Sequence, residues 1–182
     1  PFSLQEMTSL RDTTFMERSL AAAFNPSRNA GIQISDQFHD KRATYAVGFF
    51  REMEDDFGSA AGFADASAYQ LTARGTGLPI DRDGGKELLH LGVSFSHKFR
   101  DKGEGEDLRW RRRPESHLFS ERVADTEPLD TDGANLLNVE AAMVAGSLSV
   151  QAEYTSAWSD LGTLGTSRSW GAYAEASYFL TG

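Results

Sequence analysis

The stretch Asn135 to Tyr154 constrains the fold more than any other, because its side chains alternate in character with a period of two on both sides of a tight turn. Leu137, Val139, Ala141 and Met143 alternate with Asn138, Glu140 and Ala142; after Ala145-Gly146 the pattern resumes with Leu148, Val150, Ala152 and Tyr154 against Ser149, Gln151 and Glu153. An amphipathic helix would bring apolar residues back at three and four, so the stretch reads as a β-hairpin. One face is wholly apolar. The other is small or polar and carries carboxylates, so it must meet water. Two architectures satisfy that: a soluble sandwich with one solvated face, and a membrane barrel with hydrocarbon outside and water inside.

The same alternation recurs along the chain. Ile32 and Ile34 alternate with Gln33 and Ser35, and beyond a turn at Asp40-Lys41 come Ala43, Tyr45, Val47 and Phe49 against Arg42, Thr44, Ala46 and Gly48. Leu71 and Ala73 stand opposite Gln70, Thr72 and Arg74, until Asp81 to Gly85 breaks the run; Leu89, Leu91, Val93 and Phe95 then face away from His90, Gly92, Ser94 and Ser96. Leu108 and Trp110 alternate with Arg109, Arg111 and Arg113, and Ala172, Ala174, Ala176, Tyr178 and Leu180 oppose Tyr173, Glu175 and Ser177. The total is about eight strands. Glu52 to Ala66, Asp101 to Asp107, Glu115 to Gly133 and Ser159 to Ser167 read as loops, so short and long connections roughly alternate, as they do in outer-membrane barrels. Tyr69, Phe95, Trp110, Trp158 and Trp170 stand at strand ends, where a barrel would place interfacial girdles and a sandwich would bury them. Pro1 to Phe24 has no strand pattern; Ser3 and Glu6 there form a capping-box spacing for a short helix, and Asn25 to Asn29 is turn chemistry.

Composition narrows the choice by exclusion. A length of 182 residues suits one compact domain, and the absence of cysteine rules out disulfides and thiolate metal sites. A formal net charge of -9 argues against general nucleic-acid binding. Hydrophobic residues make up 40%, with no apolar run near ~18, so no transmembrane helix is expected, whereas a barrel strand crosses with about 9–11 residues of which half are apolar. Because Pro1 is not an initiator methionine and Phe179 to Gly182 follows directly on a strand pattern, the chain is expected to be an interior piece of a longer protein.

Phe2-Ser3-Leu4, Thr8-Ser9 and Phe15-Met16-Glu17-Arg18-Ser19, followed in order by Leu89-His90-Leu91-Gly92, Ser149 to Tyr154 and Gly171-Ala172-Tyr173 to Gly182, resemble segments of the phosphate-selective porin O and P family. The resemblance covers nearly the whole chain and implies a bacterial outer-membrane homotrimer. Each subunit would be an antiparallel transmembrane β-barrel of about sixteen strands, with residues 1–29 as a lumen-folded constriction loop and turn and 30–182 as part of the wall. It also implies a diffusion channel in outer-membrane lipid that favours small anions such as phosphate or polyphosphate, without a cofactor. Thr8, Ser9 and Arg18 match the family's loop ligands, and Arg11 stands where a second basic residue is expected. Glu6 replaces the main lysine and Leu10 a serine, so the channel and its anion path carry over but phosphate specificity does not.

Arg109, Arg111 and Arg113 need no resemblance to be singled out. On one strand face they would stand about 7 Å apart in a column, which suits an anion relay, since guanidinium groups stay charged and grip oxyanions in a fork. The plainer reading is a solvated basic strand neutralised by Glu104, Glu106 and Asp107, with Arg112 on the opposite, lipid-facing side. Arg18 can equally be paired with Glu17, and Arg11 with Asp12. By parity Arg42, Arg74, Glu140, Glu153 and Glu175 would be lumen charges. His90 and His97 fall on opposite faces, no phosphate loop or nucleophile elbow occurs, and no enzyme activity is expected. A soluble β-sandwich binding module and a non-conducting structural barrel stay open as alternatives.

Overall fold

A computed structural model describes residues 1–26, 29–51, 69–99, 108–112, 121–126 and 129–180. Alternation becomes one antiparallel sheet of seven strands in the order β1 (Ala30–Phe38), β2 (Ala43–Arg51), β3 (Tyr69–Arg82), β4 (Glu87–Phe99), β7 (Gly133–Ala145), β8 (Leu148–Asp160) and β9 (Thr166–Tyr178). The sheet therefore runs in sequence order, interrupted only between β4 and β7. There a two-residue pair, β5 (Arg111–Arg112) with β6 (Ala124–Asp125), forms a separate small sheet.

Three short turns lie at one end of the sheet: 39–42, 83–86 and Gly146-Ser147, where Gly146 takes a φ of 60° that only glycine adopts freely. At the opposite end the chain leaves and re-enters through 52–68, 100–132 and 161–165. The segregation is sharper than the sequence suggested. β3 runs into the expected break as far as Arg82, with a register shift between Gly77 and Ile80 that absorbs Pro79, and β8 and β9 trim the expected loop 159–167 at both ends, to 161–165.

Residues directly opposite one another share a face, so the register fixes both faces. One row runs Ile34, Val47, Ala73, Phe95, Leu137; a row of the other face runs Arg74, Ser94, Asn138, Thr155. Burial is inverted with respect to a water-soluble protein. Ile32 is 80% exposed and Val93 49%, whereas Ser96 and Asn138 are 0% exposed. The polar face is the covered one, because residues 1–24 and the segment around Leu108 and Trp110 lie on it. An apolar core still exists there, small and local: Phe2, Leu108, Trp110, Ala134, Leu136 and Ala157, with Phe24 and Leu129 packed against it, at the end of the sheet that carries the long connections.

That core corrects one expectation. Leu108 to Arg112 does not join the seven-stranded sheet: Leu108 bridges to Leu129, Trp110 turns into the core with its indole nitrogen toward Ser159 Oγ at 3.4 Å, and among the described residues Arg111 and Arg112 pair as strand with Asp125 and Ala124. Two large apolar side chains on one side of a short segment found a core on the inner face, which outweighs edge pairing with the sheet. Trp110 accordingly leaves the expected girdle, and Arg112 belongs to the separate β5–β6 pair. Tyr69, Phe95 and Trp170 do stand exposed on the outer face, and Trp158 lies there beneath Arg168 at 5.4 Å. The expected loops 52–66 and 101–107 lie outside the described residues.

The two faces make opposite demands on neighbouring residues. Leu136→Ala, in the inner core, is expected to cost about 2–5 kcal/mol, and Leu137→Ala, one position along on the outer face, less than about 1.5 kcal/mol. Chemical unfolding of the full-length protein measures both.

Candidate functional site

The inner face carries a polar network built around two glutamates that the register sets directly opposite each other, Glu140 on β7 and Glu153 on β8. Both are buried, at 4% and 5% exposure. Like charges in such a pair repel unless each has its own partners, and here each does. Glu140 Oε1 accepts from Arg74 Nη2 on β3 and lies 2.8 Å from His90 Nε2 on β4. Gly92, opposite Glu140, leaves the room: a Cβ there would overlap the carboxylate. Glu153 turns instead to β9 and to the N-terminal segment. It accepts from Tyr173 Oη at 2.6 Å, from Asn138 Nδ2 at 3.1 Å, and from the backbone amides of Leu4 at 3.1 Å and Gln5 at 2.7 Å. Around this centre, hydroxyl pairs such as Thr72 with Ser96 and Ser149 with Ser177 fill out the inner surface.

The segment on this wall is built as its sequence suggests. Ser3 caps the short helix α1 (Leu4–Met7), its Oγ accepting from the Glu6 amide at 3.1 Å. Ser94 Oγ donates to the Phe2 carbonyl, and Asn25 Nδ2 donates to Ser3 Oγ at 2.7 Å. Gln5 Oε1 accepts from the amide and hydroxyl of Ser19, so the segment's start and end are tied together. Its far end rests on Gly171, where a Cβ would come within 3.0 Å of Ala21 Cα. Between these ties residues 7–16 project, with Met7, Leu10, Phe15 and Met16 exposed.

The expected anion ligands prove to be occupied. Arg18 Nη1 lies 2.9 Å from Glu6 Oε2, and its Nη2 donates to the carbonyls of Glu6 and Thr8; the acidic partner is thus Glu6, the residue that departs from the family pattern, and not the Glu17 expected. Arg11 sits 3.3 Å from Asp12 at the surface. Ser9 Oγ caps the turn at the Arg11 amide, and Thr8 Oγ1 donates to the Leu4 carbonyl. Arg109 forks onto Asp125, both bonds at 2.6 Å. Of the expected arginine column, Arg109 lies outside the described strands, while the side chain of Arg111 and all of Arg113, Glu104, Glu106 and Asp107 fall outside the described residues.

Of the parity-based lumen charges, Arg74, Glu140, Glu153 and Glu175 share the inner face, Glu175 lining a shallow depression with Thr14, Gln151 and Ser177. Arg42 does not; it lies in the 39–42 turn and donates to the Asp81 carbonyl at 3.0 Å. Sequence reasoning missed His90, Asn138 and Tyr173 as members of the network. Their even or odd positions put them on the inner face, but only the pairing register brings them to Glu140 and Glu153.

A family model described as phosphate-selective porin O and P matches residues 1–182. A protein of Caulobacter vibrioides described as uncharacterized is 30% identical over 188 residues, an alignment that covers 100% of this chain and 37% of that relative's own length.

Buried charge makes the Arg74–Glu140 pair testable. Arg74→Ala strands a buried carboxylate and is expected to destabilise the protein by about 3–5 kcal/mol, whereas Glu140→Gln added to it recovers a large part of the loss. Unfolding of the two single variants and the double variant closes the cycle.

Proposed function

The chain belongs to the phosphate-selective porin O and P family, and from that premise we propose that it forms part of the wall and the constriction of a passive diffusion channel in the bacterial outer membrane. A porin acts by permeation, so the reading is a channel rather than an enzyme. The observation that carries it is the inverted burial: polar side chains sit on the covered face while the opposite face presents Ile32, Ile34, Val47, Phe49, Leu91, Val93 and Val139 with nothing over them among the described residues. Hydrocarbon is the solvent in which such a face is stable, and water inside a closed barrel is what a polar inner face requires. Strands of about 9–14 residues match the tilted crossing of a bilayer.

In this proposal residues 30–182 are one arc of a barrel completed by strands outside this chain, which spans 37% of the relative's length. Closure pairs the open edges of β1 and β9, and the subunits assemble as a homotrimer. Residues 1–29 fold inward as the constriction. The short turns mark the periplasmic end, and the long connections the external one.

Permeation of small anions, phosphate among them, belongs to the proposal; a dedicated phosphate site built from Arg11, Arg18 and Arg109 does not. Each of these cations faces a carboxylate within 3.3 Å, which cancels most of its field on a passing ion. Any anion preference of the full-length channel is therefore expected to be mild. Single-channel recordings of the full-length protein under a tenfold potassium chloride gradient measure it. A reversal potential that implies about a twofold to fivefold chloride preference supports the reading, a phosphate block at micromolar concentration would show a dedicated site, and a strong cation preference would remove the anion path.

A further inference from the structure

We infer that Glu153 is the positioning residue that hangs the constriction segment from the channel wall and thereby sets the width of the passage; the inference rests on the channel reading above. Four donors converge on this one carboxylate, two on each oxygen. Tyr173 Oη and the Gln5 amide meet Oε1, and Asn138 Nδ2 and the Leu4 amide meet Oε2. Two of the four come from the wall and two from the segment, so the carboxylate is a bridge between them.

The segment's local design fits this bridge. The first amides of a helix have no partner within it. Ser3 Oγ takes the Glu6 amide, which leaves those of Leu4 and Gln5, and these are the two that Glu153 receives. The far end of the segment packs on β9 around Gly171, and the hydrogen bonds between tie the segment to itself: Arg18 to Glu6 and Thr8, Ser19 to Gln5, Asn25 to Ser3. Residues 7–16 therefore move as one arc with α1, and what orients α1 orients the arc. Only an acceptor on both branches fills this place. Glutamine would turn an NH₂ group toward amide donors, leaving at least one of them buried against another donor. Phe2, held by Ser94 and the inner core, keeps the segment attached when Glu153 is changed, so the expected result is a loosened arc rather than a lost one.

The test uses the full-length protein in planar bilayers and in a liposome swelling assay, with wild type, Glu153→Gln, Leu4→Pro and Tyr173→Phe. Leu4→Pro removes one donor from the segment side at a helix position that tolerates proline, so it probes the bridge without disturbing the wall. Glu153→Gln is expected to raise unitary conductance about twofold, increase open-channel noise and admit larger neutral sugars, Leu4→Pro to shift all three in the same direction by less, and Tyr173→Phe, which removes one wall donor but keeps both bonds to the segment, to shift them least. Variants that migrate as folded, heat-modifiable protein yet keep wild-type conductance, noise and sugar cutoff in both Glu153→Gln and Leu4→Pro overturn the inference while the channel reading stands. A folded wild type that conducts nothing overturns the channel reading and this inference together.

Discussion

Each strand of the sheet is asked to satisfy two solvents at once, and the alternation of side chains at every second position is what makes that possible. Along β7 the sequence Leu137, Val139, Ala141, Met143 stays on one side, and Leu136, Asn138, Glu140, Ala142 on the other. A slip of one residue in the β7–β8 pairing would transfer Glu140 or Glu153 to the apolar face and strip it of its partners. The register is therefore held from both sides, by apolar exclusion outside and by named hydrogen bonds within.

The inner face meets that second demand through division of labour. Two opposed carboxylates would be costly in a buried place, yet Glu140 draws its donors from β3 and β4 while Glu153 draws its own from β9, β7 and α1. The same economy governs the cations. Arg74, Arg18, Arg109 and Arg11 each stand beside a carboxylate, so the field that each of these cations exerts on a mobile ion is weak. In the proposed channel, steric width, set by how the N-terminal arc hangs from the wall, would then be the stronger determinant of what passes. The exposed Met7, Leu10, Phe15 and Met16 along that arc fit a passage tuned by size more than by charge.

Much of this was legible from residue order alone. Period-two alternation located all seven strands of the sheet, the hairpin at Gly146 and the inner parity of Glu140, Glu153 and Glu175, because a strand's faces follow from counting by twos. The Ser3 to Glu6 spacing located α1 for a similar local reason. Counting failed at Leu108 to Arg112, where alternation was real but served a different end. Trp110 and Leu108 point toward Phe2 and Leu136, residues far off in sequence, and a tertiary core there outcompetes strand pairing with the wall. Partner choice was also hidden: that Arg18 finds Glu6, Arg109 finds Asp125 and Arg74 finds Glu140 depends on loop paths and register that no spacing rule contains.

The claim beneath all of this is that odd and even positions of β7 meet different solvents. Nitroxide labels placed one at a time from Leu137 to Val144 in the full-length protein, reconstituted in bilayers, report it through collision with oxygen, which concentrates in lipid, and with a water-soluble nickel chelate. The account predicts two period-two oscillations out of phase, oxygen peaking at 137, 139, 141 and 143 and the chelate at 142 and 144. Oscillations in phase, or odd positions shielded from both reagents as they would be beneath a second protein layer, would contradict it.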